Sequence, residues 1–123
     1  MNFRNLMIIA AVTAIVFGAG FALAPMQLSS LFDISSTSAS DFAFRLYGTA
    51  LIGIGLLGWL ARQSKNSDIQ KAILTGLFVT DFGGFLVVLF AKLAGLMNAF
   101  GWAIAFLLLL LSAADAYLYF SSK

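Results

Sequence analysis

The sequence predicts an all-α protein: four transmembrane helices packed up and down as an antiparallel bundle, with both termini cytoplasmic. Three observations carry that prediction. First, 62% of the 123 residues are hydrophobic and only 10% are charged, and the mean hydropathy is +1.01. Soluble domains run nearer half apolar and a quarter charged, so this chain cannot cover itself with polar surface in water. Second, apolar stretches recur at bilayer length. A hydrocarbon core about 30 Å thick is crossed by about 20 apolar residues in helix, and such helices are expected over about 6–24, 42–61, 69–92 and 98–120. Third, the single proline, Pro25, falls just after the first stretch, so no proline interrupts a span. The whole of 1–123 is expected to form one transmembrane domain.

The first span has features of a signal peptide. "MNFRN" gives a basic start, and "ALA" at 22–24 has the A-x-A form of a cleavage site. Pro25 would then follow the cut directly, a poor context for cleavage, so the segment is read as a retained helix. Next, "PMQLSSLF" spaces Leu28, Leu31 and Phe32 at i, i+3 and i+4, which predicts a short interfacial helix over 26–33. "SSTSAS" at 35–40 reads as a polar linker. "SASD" at 38–41 and "SDIQ" at 67–70 have the form of capping boxes opened by Ser38 and Ser67. They would place Asp41 and Asp68 in first turns, where the helix dipole favours negative charge. Gly95 is expected to close the third span, leaving "AGLMN" as a tight connection to the fourth.

Lysine and arginine set the expected orientation. With both termini on one side, that side holds Arg4, Arg62, Lys65, Lys71 and Lys123, against Arg45 and Lys92 on the other. Five against two over short loops predicts that the termini and the 62–71 connection are cytoplasmic. Tyr47 and Trp102 fall near the outer boundary, and Trp59, Tyr117 and Tyr119 near the inner one.

In lipid, helices associate by close packing and interhelical hydrogen bonds, so small residues should recur every four positions. Ala10, Ala14, Gly18 and Ala22 form such a stripe on the first helix, and Gly76, Thr80 and Gly84 form one on the third. The second carries Gly48, Gly53, Gly55 and Gly58, with Thr49 and Gly53 as its clearest small pair. The simplest reading is packing within the bundle. The sharper one is a glycine face that docks a second copy or a partner protein.

Composition also excludes chemistry. Without cysteine or histidine there is no disulfide exchange, thiolate catalysis, iron–sulfur ligation or ordinary zinc site. A net charge of +2 is too small to suggest a nucleic-acid surface. No nucleophile–base pair, phosphate loop or metal-ligand spacing can be assembled, so no enzyme activity, metal or cofactor is expected.

One residue stands out. Asp81 lies in "GLFVTDFGGF", near the middle of the third span. An ionised aspartate there costs about 2.5 kcal/mol or more, and no basic residue shares its depth. Lys92 is eleven residues away, or about 16 Å along a helix. Burial therefore favours the uncharged acid. Thr13 and Ser112 lie at similar depth and are the candidate hydrogen-bond partners. Asp81 is read either as a neutral acid that fixes helix register, as a proton- or cation-coupled site, or as a contact for a partner or ligand. The letters D-F-G also mark the magnesium-binding aspartate of protein kinases, but the kinase lysine, catalytic loop and soluble fold are all missing. Asp115, near the cytoplasmic end of the fourth span, is expected to make a boundary ion pair with Arg62 or Lys71. Arg45, four residues after Asp41, is expected to pair with it or to reach outer headgroups; a carboxylate ligand is the alternative.

"APMQLSSLF", the polar linker and "FRLYGTALIGIGLLGWLAR" resemble a pattern in small bacterial four-helix membrane proteins of uncharacterised function. There an A-P motif ends helix one and an Arg-x-x-Gly motif opens a glycine-rich helix two. The layout is loosely similar to the ergosterol-biosynthesis scaffold family. Pro25, Arg45, Gly48 and the helix-two glycines carry the match. The resemblance implies a non-enzymatic accessory or scaffold subunit of a larger membrane complex, in a bacterial inner membrane. Its expected partners are the lipid bilayer and other membrane proteins or a second copy. The small multidrug resistance transporters share the length and helix count and use a glutamate on helix one. This chain has no glutamate, and in the alternative reading, a homodimeric proton-coupled transporter, Asp81 takes that part.

Overall fold

Caps decide where each helix begins. In the computed structural model, which describes residues 2–121, the chain forms α1 (Phe3–Leu23), α2 (Pro25–Leu31), α3 (Ser38–Ala61), α4 (Ser67–Leu93) and α5 (Phe100–Ser121). There is no strand among the described residues. Asn2 Oδ1 accepts the Asn5 N–H at 2.8 Å, so α1 starts at Phe3, ahead of the apolar run. Ahead of α3, Thr37 Oγ1 accepts the Ser40 N–H at 3.0 Å, and Ser40 Oγ accepts the Thr37 N–H at 2.8 Å. The box is thus Thr37 with Ser40, one residue earlier than the Ser38–Asp41 expectation. Thr37 has the extended backbone that aims a short hydroxyl at the exposed amides of the first turn. Asp41 instead accepts from Ser36 Oγ at 2.8 Å. In the same way Asn66, not Ser67, caps α4, its Oδ1 accepting from the N–H groups of Asp68 and Ile69 at 2.9 and 3.3 Å.

The C-terminus of α4 closes at Gly95, which has φ +77°. Gly95 N–H donates to the Lys92 carbonyl at 3.1 Å and Leu96 N–H to the Ala91 carbonyl at 2.9 Å. This pair of bonds needs a left-handed residue, which glycine adopts without steric cost. Pro25 opens α2, where its missing N–H costs nothing. Asn98 then ties the connections together. Its N–H donates to the Phe32 carbonyl at 3.0 Å and its Nδ2 to the Leu31 carbonyl at 2.8 Å, while its Oδ1 accepts the Phe100 N–H at 3.0 Å.

α1, α3, α4 and α5 are each long and apolar enough to cross a membrane, so the protein is read as an integral membrane protein built on four spans. Burial is inverted relative to a soluble domain. Val16, Leu60, Val87, Phe90 and Phe106 are exposed, whereas Asp81, Ser112 and Asp115 are buried. Large apolar side chains uncovered on all four long helices are what a hydrocarbon surround requires.

α1 packs chiefly on α3, and α4 on α5. Glycines let the first pair come close. A Cβ on Gly18 would lie 2.7 Å from the Gly48 carbonyl oxygen, and one on Gly55 would lie 3.2 Å from the Ala11 carbonyl oxygen and 3.3 Å from Ala14 Cβ. Farther along, Gly58 faces Met7. In the second pair Gly84 faces Leu108. Among the described residues, Gly53 and Gly76 have nothing within 4 Å of a would-be Cβ, so these two make no close helix packing within the chain. A cluster of Phe3, Leu6, Met7, Ala10, Leu74, Leu77 and Leu118 joins α1 to α4 and α5.

Candidate functional site

The helical period brings two acids to one seam. On α4, Leu74, Leu77 and Asp81 are the buried positions, spaced i, i+3 and i+7 along one face. On α5, Leu111, Ser112, Asp115 and Leu118 are buried at i, i+1, i+4 and i+7, again along one face. Asp81 is 8% exposed and Asp115 is completely covered. Their carboxyl groups act directly on one another across the α4–α5 seam. Both oxygens of Asp115 are buried, and neither meets a hydrogen-bond partner with good geometry among the described residues. The two side chains are therefore close enough to interact, yet not locked into a hydrogen bond. Tyr47 on α3, an exposed residue whose ring packs edge-on against Phe21 of α1, is also within electrostatic range of Asp81.

Among the described residues no cation completes this site. The expected boundary ion pair of Asp115 does not form. Arg62 donates from Nη1 to the Trp59 carbonyl at 2.6 Å and its guanidinium lies 4.0 Å from the Trp59 ring. Lys71 Nζ lies 5.7 Å from the Tyr119 ring centre, and Lys92 Nζ lies 5.7 Å from that of Trp102. Cations at span ends thus settle on aromatic faces, which attract them through the ring quadrupole. Arg45 turns away from Asp41 and donates to the Ala22 carbonyl at 2.7 Å, stitching α3 to the open end of α1. Lys123 lies outside the described residues.

The hydroxyl partners expected for Asp81 are engaged elsewhere or absent. Ser112 Oγ donates to the Leu109 carbonyl at 2.8 Å on its own helix. Thr13 is half-buried on α1 and makes no side-chain hydrogen bond to either acid. The D-F-G letters sit within a continuous helix, with Phe82 stacked on Phe78 at 5.4 Å, unlike the loop a kinase aspartate needs. Among the described residues no group of three or more metal-type side chains converges.

Sequence reasoning missed Asp115 as the partner of Asp81. The signal was present in the connection: Asp81 lies 14 residues before Gly95 and Asp115 lies 17 after Asn98. In a helical hairpin those distances differ by less than one turn, so the two acids fall at similar depth. No known protein family, curated protein or solved structure matches this chain.

Proposed function

We propose that this is a small proton-coupled membrane transporter in which Asp81 and Asp115 together hold and release the proton. The observation that supports this reading is the covered carboxyl pair at the α4–α5 seam, which meets no cation among the described residues. Two carboxylates side by side in a dry interior cannot both stay ionised, so the pair exchanges protons as a unit rather than as two independent acids. Intramembrane acids are expensive and commonly mark ion or proton pathways. The α1–α3 register, with Gly18 at Gly48 and Met7 at Gly58, supports an antiparallel, up-and-down arrangement. Together with the charge asymmetry, it favours cytoplasmic termini in a bacterial inner membrane.

Proton flux into liposomes is the test. Asp81→Asn and Asp115→Asn are each expected to reduce pH-gradient-driven flux to the level of empty liposomes while leaving helicity intact. Wild-type protein without flux, or variants that carry it undiminished, would overturn the reading.

A second reading, an accessory or scaffold subunit, is favoured by a different observation. Gly76, Ala72 and Thr80 on α4 line an uncovered cleft of about 230 Å³ against Ile54 and Leu57 on α3. Small residues there would admit a partner's helix closely. On this reading the gently solubilised protein migrates with a larger partner, and Gly76→Leu, which fills the cleft, releases it. Migration of the wild type alone would rule the reading out.

A further inference from the structure

At the end of the bundle where α1 begins and α3 joins α4, a cavity of about 700 Å³ opens. Arg4 from α1 and Arg62 and Lys65 from the α3–α4 connection line it, and among the described residues no acidic side chain does. Asn2, Gln63 and Ser64 add polar groups, while Phe3 and Leu118 contribute apolar wall. Phe3 and Leu118 are also members of the apolar cluster that joins α1 to α4 and α5. The cavity is therefore amphiphilic: three cationic side chains and a small apolar wall share its lining. Its volume lies within the range of small-ligand sites, roughly 300–1,000 Å³.

From this geometry we infer that the cavity binds the phosphate group of an anionic phospholipid. The phosphate sits among Arg4, Arg62 and Lys65, and the upper acyl chain lies on Phe3 and Leu118. The ends of the spans are where headgroups reside, and basic pockets between helices at that level suit anionic lipid. Arginine favours phosphate through its planar, two-pronged donor geometry. In this structure Arg62 spends one of its donors on the Trp59 carbonyl, which fixes the guanidinium at the cavity wall and leaves its other donors for an anion. The inference goes beyond the proton reading and does not depend on it.

The test uses the full chain in nanodiscs of phosphatidylcholine with or without phosphatidylglycerol. Lipid retained by the protein is read by native mass spectrometry, and thermal stability is measured alongside. Phosphatidylglycerol is expected to be retained preferentially and to raise the melting temperature. Arg4→Gln with Lys65→Gln, both at exposed positions, is expected to abolish the preference while leaving helicity unchanged. A third arm adds inorganic phosphate to phosphatidylcholine discs. Equal stabilisation by inorganic phosphate would overturn the lipid assignment in favour of a soluble anion. Equal retention of the two lipids by wild-type protein, or a preference that survives in the double variant, would overturn the site. Asp81→Asn should leave lipid retention unaltered, which separates failure here from failure of the proton reading.

Discussion

Gly18 and Gly53 show how differently two glycines on neighbouring spans are used. Any side chain at Gly18 meets the backbone of α3, since a Cβ would lie 2.7 Å from the Gly48 carbonyl oxygen and 2.9 Å from Ile52 Cγ1. Backbone cannot swing aside as a side-chain tip can. Gly18→Ala is therefore expected to destabilise by about 1–3 kcal/mol, the usual range for overpacking. Gly53→Ala meets open space and should stabilise by up to about 1 kcal/mol through helix propensity. Unfolding of both variants in the same detergent checks the contrast, and equal effects would contradict the seam. The recurrence of small residues was legible in the sequence, but spacing alone did not tell which glycines face a neighbour. Gly53 and Gly55 differ by two positions, about 200° around a helix; Gly55 reaches α1 and Gly53 does not. Asp81 was legible as an oddity because a charge in an apolar run has few explanations. Asp115 was misassigned because its distance from the helix end suggested access to lysine and arginine. In the fold, those cations reach aromatic rings instead.

Among elements, the connections hold more information than their length suggests. The expected helices all form, and their boundaries move by a few residues because Thr37 and Asn66 take the caps expected of Ser38 and Ser67, and Asn98 holds the first amide of α5. Asn98 serves two elements, accepting from α5 and donating twice to the end of α2. Asn98→Ala removes the side-chain bond to Leu31 and the cap at Phe100 together. At about 1 kcal/mol for each, a loss of about 2 kcal/mol is expected. Hydrogen exchange should show it as faster exchange confined to α2 and the first turn of α5. Unchanged exchange there would mean that α2 is held by its apolar contacts alone. This long-range tie joins residues 67 apart in sequence, which no local pattern could disclose.

At the scale of the whole molecule, the four-span architecture was the most legible feature, because hydrophobic length is a property of composition that packing does not alter. The similar depth of the two acids could be counted from the connection, but that their side chains share one face of the α4–α5 seam required the fold. That meeting of Asp81 and Asp115 is the claim on which the proton reading rests. The chain has no cysteine, so Asp81→Cys with Asp115→Cys gives one engineered pair with no background thiol. Oxidation in the native membrane should close an intramolecular disulfide, seen as a mobility shift that reductant reverses. If that pair stays reduced while Gly84→Cys with Leu108→Cys cross-links under the same conditions, the two acids do not face one another and the account is wrong.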